Sequence, residues 1–346
     1  MSKLKMLVVG AGALGRHHAR ILASFSDVEL VAVCDPRESV GRAVAEASGT
    51  QWLPNFQSVL NQIDAASIVV PTSLHLSVGR EFLQRSIPLL IEKPLAGNVP
   101  EASQLVQLAD QRQTVLQVGH VERFNPALTA AKRVIGQPKY IRSERLSPFP
   151  FRSTDINVVH DVMIHDIDLV LDLVRSPLVS ADAFGVGLMG AGEDIVNARL
   201  KFENGCVVDL TASRVNPTSK RAMQVWSAIG CVTIDFQARE VTNYSPSEQL
   251  LFDRSPVERA QLPGADVEQM KRDVFGKLIR VDQRTVPEGD ALTLELREFV
   301  DCVRSKTNPS CHGHTALAAL HVAAQIQSAI ASHDWGGLPY QLREVA

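Results

Sequence analysis

Leu4-Lys-Met-Leu-Val-Val9, followed at once by Gly10-Ala11-Gly12-Ala13-Leu14-Gly15, decides how the first part of this chain folds. The first six residues are apolar except for Lys5 and predict a buried strand. After Gly15 the apolar residues Ala19, Ile21 and Leu22 fall at helical spacing. A G-x-G-x-x-G string alone is a weak signal, but between a strand and a helix it has the setting that dinucleotide binding requires. Gly10 allows the tight turn, Gly12 lets backbone approach a pyrophosphate, and Gly15 lets helix and strand pack closely. Ala13 and Leu14 complete the turn, where unpaired N–H groups and the positive end of the helix dipole face the phosphates.

A second strand at 28–34 ends in Asp35, 25 residues after Gly10, near the position where an acid binds the adenosine ribose. An acid there repels a 2′-phosphate, so NAD is expected rather than NADP. Arg37 is the neighbour that could hold a 2′-phosphate instead. Helical patterns at 40–47, 56–60, 76–83 and 100–109 then alternate with apolar strands at 66–70, 89–91 and 115–118. Such alternation predicts a parallel, doubly wound α/β sheet that binds ligands at the carboxyl ends of its strands. Pro71, Thr72, His75, Glu92 and the segment 119–125 lie at those ends. Lys93 follows a buried strand and precedes Pro94, which places its ammonium in the ligand crevice, able to bind a reacting hydroxyl.

Further on stands Asp161-Val-Met-Ile-His165-Asp-Ile-Asp168. On a helix Asp161 and His165 are four residues apart and share a face. A carboxylate beside an imidazole makes a general base; acids suited to a helix N-terminus are the plainer reading. Asp166 is expected to face outward and Asp168 to be a structural acid. A metal is not expected, because His160 and His165 are five apart and point in different directions. Cys311-His312-Gly313-His314 likewise lacks zinc-finger spacing. His17 and His18 are expected on a helix surface.

The chain has 346 residues, 45% hydrophobic and 21% charged, with net charge −3. Two domains are expected, 1–120 and 121–346, and no basic field draws the protein to nucleic acid or to an anionic membrane. The five scattered cysteines fit a reducing cytoplasm, and no stretch reaches the length of a membrane span.

The glycine motif, Glu92-Lys93-Pro94, Arg123-Phe124-Asn125-Pro126 and Asp161-x-x-x-His165, in this order, resemble the Gfo/Idh/MocA oxidoreductases across essentially the whole chain. The resemblance implies that Lys93, Asp161 and His165 gather around substrate beside the nicotinamide. His165 would be the general base, Asp161 would orient it or the substrate, and Lys93 would bind the reacting oxygen. It implies substrate contacts from Arg123 and Asn125, and a homodimer or homotetramer built on an open sheet face. The segments 119–126 and 163–168 are similar to a narrower group, the nucleotide-sugar 3-dehydrogenases. A free-sugar or inositol dehydrogenase and a non-catalytic dinucleotide sensor remain as alternatives. His160, where an apolar residue is the family pattern, is a departure.

Strand patterns at 140–146, 179–187, 195–202, 206–213, 222–228 and 231–236, joined by turns such as Asn204-Gly205, predict a second, mostly antiparallel sheet and an α+β domain. Residues 127–134 predict a helix, 148–152 a loop, and 255–273 a polar loop. Two helices at about 292–332 are expected to pack back towards the first domain. Arg214 and Lys220 are taken first as solvated surface charges, with Arg123, Arg152 and Arg214 as the arginines that could serve a phosphate.

Overall fold

The computed structural model describes residues 2–149, 151, 157–189 and 192–333. Six strands, β1 (Leu4–Val9), β2 (Val28–Cys34), β3 (Gln51–Leu53), β4 (Ala65–Ile68), β5 (Leu89–Glu92) and β6 (Leu116–Gly119), form a parallel sheet in the order β3-β2-β1-β4-β5-β6. The crossovers run through helices α1 (Gly15–Ser24), α2 (Glu38–Ala47), α3 (His75–Leu83) and α4 (Val99–Gln111). Every residue of β4, β5 and β6 is buried, as expected of parallel strands covered on both faces. The strand order reverses between β1 and β4, so the crevice opens where the glycine turn after β1 meets the segment after β4.

The second sheet contains β7 (Pro138–Leu146), β8 (Leu178–Val186), β9 (Ile195–Phe202), β10 (Val207–Ser213), β11 (Lys220–Ser227), β12 (Gly230–Asp235), β13 (Glu240–Pro246) and β14 (Ile279–Gln283). Its order is β14-β13-β12-β11-β7-β10-β9-β8, antiparallel except for the parallel pair β7–β10. Helices α5 (Pro126–Lys132) and α6 (Ile164–Val174) pack on its inner face. The other face carries cross-strand polar pairs, among them Arg199–Asp209 and Lys220–Glu144.

The segment expected to be a polar loop instead forms short helices. After α7 (Glu248–Phe252) come α8 (Pro256–Ala260), whose cap Ser255 accepts from Glu258 N–H, and α9 (Val267–Asp273), whose cap Asp266 accepts from Gln269 N–H. Side-chain caps of this kind satisfy the unpaired N–H groups of a polar helix that has little core to join. β3, β13 and β14 were also absent from the sequence expectation. None of the described helices is long and apolar enough to cross a membrane.

Helix α10 (Ala291–Ser305) buries Leu296, Phe299 and Val300 against α1 and the first sheet, and Arg297 holds Asp27 through two hydrogen bonds of 3.0 Å. Helix α11 (Gly313–Ser332) lies against α4, α6 and β8, so it touches both sheets' helical layers. α10 also buries Glu295, whose carboxyl oxygens have no hydrogen-bond partner among the described residues. Burial first, and then the charges of Glu92, Glu298 and Asp168, push its carboxyl well above the ordinary range. A raised carboxyl pKa leaves its stability contribution intact below the unfolded value and removes it as pH climbs towards the folded value. Glu295→Gln is therefore expected to stabilise the protein at pH 8 by on the order of 1–3 kcal/mol, with the gain shrinking towards pH 5. Thermal melts at the two pH values check this; an equal or lower melting temperature for the variant at pH 8 would refute it.

Candidate active site

The glycine turn has the steric form its sequence implied. Gly10 sits at φ +102°, and a Cβ there would lie 2.2 Å from the Val69 carbonyl oxygen. A Cβ on Gly15 would lie 1.9 Å from the Gly10 carbonyl oxygen, so helix α1 can start only this close to β1 with glycine. At Gly12 a Cβ would meet nothing within 4 Å, which leaves its backbone open towards the crevice. The exposed Ala13 and Leu14 form the rest of the α1 entrance. Pro71 and Thr72 are at the surface where β4 ends. These features fit a dinucleotide lying across the strand ends.

Asp35 ends β2 as a buried carboxylate. It accepts from Ala11 N–H at 2.8 Å, from Arg37 N–H at 2.9 Å, and from the Arg37 guanidinium through two bonds of 2.9 Å. Burial pulls its pKa upward, but the bonds from Arg37 and from the two N–H groups outweigh it and hold the acid below its usual range. Asp35 thus stays anionic beside the glycine turn, and the exposed Arg37 side chain can swing aside for a ribose. Asp35→Ala is expected to weaken NAD by about 10- to 100-fold, the worth of a charged hydrogen bond, and NADP by less. Dissociation constants for both cofactors check this, and equal weakening would remove the ribose role.

Lys93 leaves β5 through a cis bond to Pro94 and reaches the second domain. Its Nζ donates to the Asp161 carbonyl oxygen at 2.7 Å and to Asp161 Oδ1 at 3.3 Å, with both side chains largely buried. Residues Val159–Met163 are wound as a π-turn in which Ile164 N–H reaches back to Val159 oxygen, one residue further than in an α-helix. Such turns often sit at functional sites. His165 follows in the first turn of α6. Its Nδ1 is buried and has no hydrogen-bond partner among the described residues. Burial, and then the positive charge of Lys93 and of Arg145, hold the imidazole well below its ordinary pKa, so it is neutral and able to accept a proton.

Helical spacing predicts an Asp161–His165 pair, but the Asp161 carboxylate is bonded to Lys93 instead. Lys93 and Asp161 are in contact, and the charge of Lys93 acts at His165. His160 is accounted for locally: its Nδ1 and its N–H both lie 3.0 Å from Asn157 Oδ1 at the entrance to the π-turn.

Several side chains expected to meet ligands are engaged within the protein. His75 is buried with Nδ1 2.9 Å from Pro94 oxygen and Nε2 3.0 Å from Val70 oxygen, so it ties the end of β4 to the loop that carries Lys93. Arg123 grips Asp168 through bonds of 2.6 and 2.7 Å and lies 3.3 Å from Asp172. Asn125 caps α5 by accepting from Ala127 N–H and donates to Glu122 and to Phe236 oxygen. Arg123 and Asn125 therefore hold the strand-end segment in place; their polar atoms are committed to protein groups. Glu92 is also internal, 3.1 Å from the Nε2 of His18, although that contact lies outside hydrogen-bond geometry. His18 itself is buried and bonded through Nδ1 to Ser67 Oγ at 2.8 Å, not exposed as expected.

Asp166 faces inward, contrary to expectation, because α6 packs on the sheet with that side. It is bonded to Arg145 of β7 at 2.9 and 3.1 Å, and Arg145 also donates to Glu122 at 2.8 Å. Burial opposes the charge of Glu122, but Arg145 outweighs it and keeps the acid ionised. Arg214 is buried against Asp194 at 2.8 Å, while Lys220 points to the outer sheet face. Arg152 lies outside the described residues. Arg221, which had no role in the sequence reading, extends from β11 within 3.6 Å of Glu122.

Residues 4–120 match the family model described as an oxidoreductase family with an NAD-binding Rossmann fold, and residues 129–232 match the GFO/IDH/MocA C-terminal domain. The chain is 30% identical over 331 residues to UDP-N-acetylglucosamine 3-dehydrogenase of Acidithiobacillus ferrooxidans, covering 95% of this chain and 98% of that one. The solved structure of that enzyme superposes with a TM-score of 0.83. A scyllo-inositol 2-dehydrogenase (NAD(+)) of Bacillus subtilis is 30% identical over 234 residues, 62% of this chain and 68% of the relative. Levoglucosan dehydrogenase, solved with NADH and L-sorbose, shares the fold at a TM-score of 0.80 and 17% identity over 96% of this chain and 97% of that one. With both domains matched and one relative similar from end to end, the chain belongs to the Gfo/Idh/MocA family of NAD-dependent oxidoreductases.

Proposed function

We propose that this protein oxidises the 3-hydroxyl of UDP-N-acetylglucosamine to a ketone. The supporting observation is the relative of that activity, which aligns over nearly the full length of both chains. The site chemistry agrees with it. His165, neutral and partly buried, takes the hydroxyl proton. Lys93 donates to the same oxygen, stabilising the alkoxide character that develops there. Asp161 holds the Lys93 ammonium in place. NAD, bound on the glycine turn, supplies the hydride acceptor.

The 3-keto product is a substrate for transamination, which places the reaction in amino-sugar synthesis for lipid A or a surface polysaccharide. The protein would act in the cytoplasm as a homodimer or homotetramer. A free-sugar or inositol dehydrogenase is the second reading, favoured by the inositol dehydrogenase relative that aligns over 62% of this chain. The test is a screen of UDP-N-acetylglucosamine, free N-acetylglucosamine and inositol with NAD and with NADP, followed through the reduced-nicotinamide absorbance. The nucleotide sugar with NAD is expected to exceed the free compounds in kcat/KM by about 100-fold or more. Faster turnover of inositol or a free sugar would replace this reading with the second.

A further inference from the structure

We propose that Arg221 anchors the diphosphate of the nucleotide-sugar substrate; this rests on the substrate reading above. In β11, Met223 and Val225 are buried, and Arg221 has their parity, so its side chain lies on the inner face of the sheet. The residue directly opposite it in β7 is Arg145. Two guanidinium groups facing one another across a strand pair repel. Arg145 is neutralised by Asp166 and Glu122. Arg221 has no such match: its one anionic neighbour among the described residues is Glu122 Oε1 at 3.6 Å, an oxygen that already accepts from Arg145.

The result is a guanidinium with unspent donors, 54% exposed, on the site's side of the sheet. Its charge is felt at His165, where it adds to burial and to Lys93 in disfavouring the imidazolium. An arginine fork matches phosphate oxygens in pairs. In a nucleotide sugar the diphosphate starts at the anomeric oxygen, two ring carbons from the 3-hydroxyl that Lys93 would hold. A neutral sugar or an inositol offers nothing to this group. Among the described residues, the other arginines offered for a phosphate, Arg123 and Arg214, are bonded to Asp168 and Asp194. Arg221 is thus a specificity residue for the charged part of the substrate.

The experiment is calorimetric titration of the NAD-loaded protein with UDP, for wild type, Arg221→Ala and Arg221→Lys. UDP is expected to bind wild type, to weaken by about tenfold or more in Arg221→Ala, and to lie between the two in Arg221→Lys. NAD affinity should be unchanged in both variants, showing that the fold is retained. In turnover Arg221→Ala should raise KM for the nucleotide sugar by a larger factor than it changes kcat. Equal UDP affinity in wild type and Arg221→Ala overturns the assignment of Arg221 and leaves the substrate reading standing. Failure of wild type to bind UDP overturns the substrate reading, and the inference with it.

Discussion

Lys93→Ala is expected to lower kcat by about 10²- to 10³-fold, the loss typical of removing one preorganised donor to a developing oxyanion. The ammonium enters the site from the end of β5 and is fixed by the Asp161 carbonyl at 2.7 Å as well as by the carboxylate at 3.3 Å. Alanine removes both the donor to the reacting oxygen and the positive charge that favours its alkoxide. NAD affinity should hold, because the glycine turn and Asp35 are untouched. His165→Ala is expected to lose on the order of 10²- to 10⁴-fold, the range for a positioned general base. Asp161→Asn should lose less than Lys93→Ala, since the shorter bond, to the backbone carbonyl, survives. Steady-state kinetics with a parallel NAD titration checks all three; near-wild-type kcat in both alanine variants would refute the assignment. The pH profile gives a second reading. A base held well below its ordinary 6.5 is already deprotonated at neutral pH, so the acidic limb of kcat/KM should fall below 6.5. A limb above that value would mean that His165 is not the titrating base.

The second large effect concerns stability. Arg145→Leu is expected to destabilise the fold by about 3–5 kcal/mol, because it leaves Glu122 and Asp166 buried without their countercharge. Arg145 links the 3₁₀ turn after β6, strand β7 and helix α6, so one side chain ties three chain segments around the site. The effect carries a pH signature. Glu122 is held below its ordinary pKa of 4.5 in the folded protein. A depressed carboxyl contributes stability above its unfolded pKa and loses it as pH falls through the folded value. The gap between wild type and Arg145→Leu should therefore be full at neutral pH and narrow below about 4.5. Urea unfolding at two pH values measures it; a gap under about 1 kcal/mol at neutral pH, as for an exposed pair, would show that the network is not structural.

Much of the fold is legible because burial writes itself into apolar runs. β2 and β9 occupy the residues that the hydrophobic pattern marked, and the helix–strand alternation led to the observed parallel sheet. β3 was missed because three residues, Gln51-Trp52-Leu53, are too few to show a period. β13 and β14 carry no clear apolar period because Glu240–Pro246 and Ile279–Gln283 are largely polar, exposed or half-buried strands, with β14 at the sheet edge. The site divides in the same way. Lys93, Asp161 and His165 are each marked by residue type and local setting, their grouping is what the family resemblance implies, and Lys93 and Asp161 are in contact. Their partners do not follow from spacing. A π-turn and a lysine 68 residues away take the Asp161 carboxylate from His165. Asp166, Arg123 and His75 turn inward to groups that no local window contains. Arg221 had a sequence signal, an arginine on the inward parity of an alternating strand, but the expected strand began one residue after it.

The most direct measurement is transfer of deuterium from UDP-N-acetylglucosamine labelled at sugar carbon 3 to NAD, read by mass spectrometry of the nicotinamide product. The expected result is deuterated reduced nicotinamide, slower turnover than with unlabelled substrate, and no transfer by Lys93→Ala or His165→Ala on the wild-type timescale. Reduction of NAD without deuterium transfer, or no reduction by this nucleotide sugar while inositol is oxidised, would contradict it.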